Sequence, residues 1–261
     1  MTDHPSVNSV PPVPPRASIA PLRTVRATME LVDGLLERSE NMPGIGVVYG
    51  YASLGKTVAA NYARNSTGAH LIEISEYWSR KHFAKNLLLA LGYPDPKGTA
   101  ADMVERAIRI LSDDPTRPLI IDEADILLDK GMIGLVRDLH DKGQVPIILV
   151  GEEKLPEKLA KWDRVYDRIL DMVAAQPCDL SDTAALARII APDLAIGEDV
   201  LDEIRRRTDG RARRIVTSLE RLRHKAGVHG AEQLTLDLLD GTVAEGRLPA
   251  LRRTPRVQRA A

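Results

Sequence analysis

The chain has 261 residues, with 36 Lys and Arg against 37 Asp and Glu and a formal net charge of −1. At 44% hydrophobic residues it can bury one large core plus a small one, and with a single Phe that core must be built from Leu, Ile, Val and Ala. Its one cysteine, Cys178, excludes an intrachain disulfide framework and a cysteine zinc site; the N-terminus has no apolar signal core, and no apolar run nears the ~20 residues that span a bilayer, so a cytoplasmic protein is expected.

In chain order, residues 1–22 contain PPVPP and little packable periodicity, and read as a disordered Pro-rich leader. A helix is predicted from Thr24 as N-cap through Glu40, with Val25, Met29, Val32, Leu35 and Leu36 on one face and Pro43-Gly44 as the stop. GVVYG (Gly46–Gly50) reads as a short buried strand, and GYASLGKT (Gly50–Thr57) follows it, fitting G-x-x-x-x-G-K-[ST]. In such a loop the backbone N–H groups, from Gly50 through Ser53, Leu54 and Gly55 to Lys56, Thr57 and Val58, cradle phosphates at the N-terminus of a helix, here Lys56–Arg64. Lys56 would reach the β- and γ-phosphates of ATP and the Thr57 hydroxyl would ligate Mg²⁺.

A second strand is predicted at Ala69–Ser75, then helices at Ser79–Leu91 and Ala101–Ser112, the latter repeating Met103, Ala107, Ile108 and Leu111 at helical spacing. PLIIDEAD (Pro118–Asp125) supplies a third strand, Leu119–Asp122, ending in two acids. Asp122 can hold Mg²⁺ through water and Glu123 can polarise the attacking water. A helix Gly131–Lys142, a fourth strand Val145–Gly151, a helix around Glu157–Trp162 and a fifth strand near Leu170–Ala174 complete the pattern. Alternating strands and helices with almost wholly apolar strands predict an α/β nucleotide-binding domain, residues 23–178, on a parallel five-stranded sheet covered on both faces. After Leu180 the strands are expected to stop. Ser181–Ile190, Glu198–Thr208, Ala212–Ala226 and Leu234–Glu245 read as helices of a small lid domain, residues 179–246, followed by a basic disordered tail, residues 247–261.

The near-neutral net charge hides an asymmetry. Arg205–Arg207, Arg211, Arg213, Arg214, Arg221 and Arg223 cluster in the lid, and Arg247, Arg252, Arg253, Arg256 and Arg259 in the tail. This basic end is either a surface for a polyanion or a solvated helical face with a loose tail.

DRVYDRI (Asp163–Ile169) before strand five, TDGRARRI (Thr208–Ile215) opening a lid helix, and the helical domain itself stand in the order in which they resemble the AAA+ P-loop ATPases. The resemblance implies an arginine that enters the neighbouring subunit's site, Arg168 with Arg164 as the alternative, and a lid arginine on the γ-phosphate, which the spacing G-x-x-R places at Arg213. Catalysis by Lys56, Glu123 and Arg168 would then require a homo-oligomer.

Across Gly44–Ile169 a narrower likeness appears. IIDEADILLDKGMIGLVRDLHDKGQVPIILVGEEKLPEKL is similar to the Mu-type phage transposition protein B and to AAA+ target-selection ATPases of bacterial transposons, through Arg137-Asp138-Leu139-His140-Asp141 and Gly151-Glu152-Glu153-Lys154-Leu155. This likeness implies an ATPase of the bacterial cytoplasm that assembles on duplex DNA of any sequence as a homo-oligomer or filament, and recruits a transposase that stimulates ATP hydrolysis. Two departures stand out: the leader leaves no room for the helix-turn-helix domain of some members, and Glu152 stands where many AAA+ proteins carry Asn, Ser or Thr.

SEYWSRKHFAK (Ser75–Lys85) places Arg80, Lys81 and Lys85 near the carboxyl edge of the sheet, where they could touch DNA phosphates without reading bases; alternatively Trp78 and Phe83 pack in the core and the basic side chains are solvated. The letters DEAD invite an RNA-helicase reading, which fails for want of a second RecA-like domain. The remaining rival is an AAA+ helicase loader.

Overall fold

The structure, a computed structural model, describes residues 20–39, 41–231 and 233–245. The leader up to residue 19 and the tail arginines from Arg247 onward lie outside the described residues. Strands β1 (Ile45–Tyr49), β2 (His70–Glu73), β3 (Leu119–Asp122), β4 (Ile147–Gly151) and β5 (Ile169–Ala174) form one sheet in the order β2-β3-β4-β1-β5, every pair parallel. The reason is visible in the strands themselves. β3 and β4 are buried along their whole length, so both faces must be covered, and successive residues face opposite ways.

Ile45, Val47, Leu119, Ile121, Ile147 and Leu149 enter one core beneath α3 (Arg80–Ala90), α4 (Ala100–Asp113), α5 (Asp125–Asp129), α6 (Gly134–Gly143), α7 (Leu155–Leu159) and α8 (Asp163–Tyr166). Val48, Ile120, Ile148 and Val150 enter the other, beneath α1 (Arg23–Leu36) and α2 (Lys56–Thr67). Gly46 lets α1 approach β1 closely: a Cβ there would lie 2.8 Å from Leu35 Cδ1 and 3.0 Å from Leu31 Cδ2, so these side chains would have to shift.

Helices α9 (Leu180–Ile190), α10 (Glu198–Arg207) and α11 (Ala212–His229) enclose a third cluster, into which Ala20, Leu22 and Val25 also insert. The junction is pinned by polar contacts. Arg23 donates its backbone N–H and its Nε to the carboxylate of Asp182, at 3.0 and 3.2 Å, and Cys178 N–H donates to Gly210 O at 2.7 Å. Gly210 has φ +63, and a Cβ there would meet Cys178 O at 2.8 Å, so this close approach needs glycine. Burial beside Asp182 pushes the Cys178 thiol up to about 12, in keeping with a structural role.

Several expectations are corrected. Leu22, not Thr24, is the N-cap of α1; Thr24 is buried and accepts from Gln176 N–H at 3.3 Å. The helix ends at Leu36, four residues before Glu40, because the Arg38 guanidinium turns back onto Leu35 O at 2.7 Å and crosses to Gln144 O at 3.0 Å. α6 begins at Gly134 because Gly131 takes a left-handed φ of +62. α5 and α8, at 5 and 4 residues, are too short to show a helical period. Strands do not stop at Leu180: β6 (Ala195–Ile196) pairs in parallel with β7 (Gln233–Leu234). The last predicted helix is instead β7 and a 3₁₀ turn, Leu236–Leu239, with Leu234 and Leu239 reaching the lid core five residues apart, a spacing one α-helical face does not provide. Among the described residues no helix is long and apolar enough to cross a membrane.

Candidate nucleotide site

β1 delivers the chain to Gly50, and the loop that follows turns through left-handed positions at Ser53 (φ 69) and Gly55 (φ 88) before α2 starts at Lys56. No side chain caps α2, so the N–H groups of its first turn stay open at the end of the helix dipole that favours an anion. Leu54 turns its side chain into the core, leaving its backbone to the loop. Lys56 Nζ folds over its own loop, donating to Gly50 O at 2.7 Å and Tyr51 O at 2.9 Å. Burial lowers its pKa, while Asp122, Glu123, Glu152 and Asp125 act to keep the ammonium charged.

These groups open onto a cavity of about 520 Å³. Ser53, Gly55, Lys56, Thr57 and Val58 form one wall, Asp122, Glu123, Gly151 and Glu152 the sheet edge, and the lid the rest. Arg213, on the first turn of α11, lines the same void. The sequence reading did not foresee the apolar end of the cavity, formed by Leu22, Leu186, Ile189, Ile190 and Val216. It suits a flat heteroaromatic base. Those residues come from three helices or their flanks, and no local motif joins them. Arg211 was also missed in this role: its Nη1 reaches from the lid to Ala52 O in the phosphate loop at 2.9 Å.

Asp122 is 4% exposed and its Oδ1 accepts from Glu123 N–H at 2.9 Å. Glu123 holds a left-handed φ of 56, a strain of about 1–3 kcal/mol that is characteristic of functional turns. Partial burial, then Asp122 and Glu152, raise the pKa of its carboxyl, opposed by Lys56. Magnesium at nucleotide sites takes one or two protein oxygens and completes its shell with phosphates and water. The Thr57 hydroxyl and Asp122 carboxylate, in one cavity, fit that donor set.

Arg168, expected in a neighbouring subunit's site, lies away from the cavity of its own chain. Its carbonyl accepts from Ile45 N–H at 2.9 Å, which puts it at the amino end of the sheet, opposite the phosphate loop. Its guanidinium is held by Asp141. Arg164, one turn earlier on α8, is exposed.

Trp78 and Phe83 are buried in the core, while Arg80, Lys81 and Lys85 are exposed on α3. In the lid, Arg205 pairs with Asp202, Arg206 and Arg207 with Glu203, and Arg214 with Asp209. Much of the basic cluster is thus neutralised within its own domain, which favours the solvated-face reading there over the polyanion one.

Residues 40–159 match the family described as AAA domain. The fold is that of an AAA+ ATPase. The Aeropyrum pernix ORC2 protein is similar over 90% of this chain and 71% of its own, at 19% identity and TM-score 0.66. The A. pernix ORC1 protein, solved in complex with DNA, is similar over 83% of this chain and 62% of its own, at 19% identity and TM-score 0.55. The Thermotoga maritima RuvB Holliday junction branch migration motor is similar over 83% of this chain and 66% of its own, at 17% identity and TM-score 0.58. The chain therefore spans roughly two thirds of these proteins, and at these identities the likeness is one of fold. No curated protein matches the chain in sequence.

Proposed function

We propose that this AAA domain is an ATPase that binds duplex DNA without sequence preference, selects it as a transposition target and recruits a transposase. The observation that carries the ATPase part is the single cavity shared by Lys56, Thr57, Asp122, Glu123 and Arg213. Lys56 and the open amides of α2 hold the phosphates, Arg213 meets the γ-phosphate from the lid, and Glu123 orients and deprotonates the water. Bound Mg²⁺, held by Thr57 and Asp122, would neutralise phosphate charge.

The missing part is a cation from outside. With Arg168 committed to Asp141, the exposed Arg164 is the better arginine to enter a neighbouring copy's site, which makes activity a property of the homo-oligomer. DNA phosphates meet the exposed Arg80, Lys81 and Lys85, each contact weak alone but summed over an assembly. The transposition reading is supported by the Arg137–Asp141 and Gly151–Leu155 runs. A helicase loader is the second reading, supported by the fold likeness to a protein solved on DNA.

The deciding experiment measures binding to two unrelated duplexes across a salt series, with a non-hydrolysable ATP analogue and with ADP. Target selection requires tight, sequence-indifferent binding with the ATP analogue, weak binding with ADP, and a loss of orders of magnitude between low and moderate salt. Indifference to the nucleotide, or no duplex binding at low salt, overturns it in favour of the loader.

A further inference from the structure

The acidic motif contains a third carboxylate whose place in the fold is unlike that of Asp122 or Glu123. Asp125, at the start of α5, is 4% exposed. Its Oδ2 accepts the backbone N–H of Glu152, just beyond the end of β4, at 2.6 Å. Its Oδ1 is buried without a hydrogen-bond partner; the nearest cation, Lys158 Nζ on α7, lies 3.5 Å away and is itself bonded to Asp129 at 2.9 Å. Gly151 is part of the same arrangement, since a Cβ on it would fall 2.1 Å from Asp125 Oδ2. Beside this link, Ala124 N–H donates to Val150 O at 2.9 Å.

A buried carboxylate with one oxygen lacking a hydrogen bond, and only a 3.5 Å ion-pair contact to Lys158, adds little stability, and an apolar side chain of similar size would pack there at less cost. What the carboxylate does achieve is geometric. It ties the residues after β3 to the tip of β4, so that Glu152 stands at the cavity wall next to Glu123, and it reaches toward α7, the helix that leads into α8 and Arg164.

We infer that Asp125 is a positioning residue of the ATPase, holding the tip of β4 so that Glu152 faces the nucleotide cavity, and linking that tip to the α7–α8 segment. The inference rests on the ATPase reading for its effect on turnover, but its structural half does not.

The test uses the full chain with Asp125→Ala, Asp125→Asn and Gly151→Ala, comparing residue-resolved amide exchange, affinity for a fluorescent ATP analogue, and kcat. Asp125→Ala removes a charge-assisted hydrogen bond, so exchange at Glu152 N–H rises about tenfold or more while the amides of Ile148 and Leu149 hold. Analogue affinity stays within about threefold and kcat falls at least about tenfold, since the phosphate loop is untouched. Asp125→Asn keeps an oxygen acceptor and recovers part of kcat. Gly151→Ala displaces the Asp125 carboxylate and reproduces the Asp125→Ala phenotype, but costs less in the Asp125→Ala background, where only the approach to Leu155 Cδ2 at 2.8 Å remains. Unchanged Glu152 exchange in both Asp125 variants overturns the inference whether or not the chain hydrolyses ATP. So does a parallel loss of affinity and kcat, which would mark a merely structural residue. A wild-type chain that binds but never hydrolyses ATP would overturn the ATPase reading and the effect on turnover, with the exchange data still deciding the link between Asp125 and Glu152.

Discussion

Arg168 and Asp141 form a two-point ion pair within one chain, Nε to Oδ1 at 2.5 Å and Nη2 to Oδ2 at 2.7 Å. The pair joins α6 to the residue before β5 and raises the pKa of Arg168, first through the hydrogen bond to Asp141. A guanidinium so engaged must break two bonds before it can serve another subunit, whereas Arg164 is exposed on the same segment.

Arg164→Ala should therefore keep ATP binding and lose hydrolysis in the assembled protein, on the order of 10³-fold for an arginine meeting transition-state charge. Mixing Arg164→Ala with Glu123→Gln chains should restore part of the rate, because each supplies the group the other lacks. Arg168→Ala should instead cost about 0.5–1 kcal/mol of stability, as partly exposed pairs do. Steady-state ATPase assays of the mixtures and denaturant melts of each variant check this. A rate loss in Arg168→Ala and none in Arg164→Ala reverses the assignment.

Lys56 and Glu123 should separate binding from turnover. Lys56→Ala removes charge-assisted bonds to the phosphates and should weaken nucleotide binding about 10- to 100-fold. Glu123→Gln keeps the shape and leaves binding intact while hydrolysis fails, because the carboxylate acts only on the water. Equilibrium titration beside single-turnover hydrolysis distinguishes the two. Equal turnover in Glu123→Gln and wild type removes the role of Glu123.

The pH dependence follows from the groups facing Glu123: Asp122 from β3, Glu152 past β4, Lys56 from α2 and Glu73 from β2. Its pKa is raised, by burial first and then by Asp122 and Glu152. As a base it must be ionised, so kcat/KM should fall as pH drops through this raised value. Glu152→Gln removes a negative neighbour, lowers the pKa of Glu123 and should move the acid limb to lower pH. A limb that stays put or moves up contradicts the proposed role of Glu152.

Gly46→Ala tests the crossing of α1 over β1. The added methyl would fall 2.8 Å from Leu35 Cδ1, inside van der Waals contact, and overpacking of this kind costs about 1–3 kcal/mol. A urea melt should show a lower midpoint with an unchanged slope. An unchanged midpoint would mean that Leu31 and Leu35 move aside without strain.

The loop before α2 and the place of Asp122 and Glu123 at the end of β3 were legible in the chain because each is local: a glycine turn between a buried strand and a helix, and an apolar strand closing on two acids. The inner strands β1, β3 and β4 were legible for the same reason, since burial on both faces writes itself as short unbroken apolar runs, whereas the edge strands β2 and β5 are only partly buried. α5, α8 and the β6–β7 pair were not, being shorter than any period that could announce them.

By itself the sequence determined that a glycine loop joins a buried strand to a helix, that an apolar strand closes on Asp122 and Glu123, and that a mainly helical segment follows; those depend on contacts within a few residues. Only the tertiary structure decided how the rest of the chemistry is distributed. It committed Arg168 to Asp141, spent the α10 arginines on neighbouring acids, buried Trp78, and seated Asp125 against Glu152, 27 residues away. The physical reason is that a charge or an aromatic ring carries no local sign of its partner: its role depends on what the fold brings within hydrogen-bond reach.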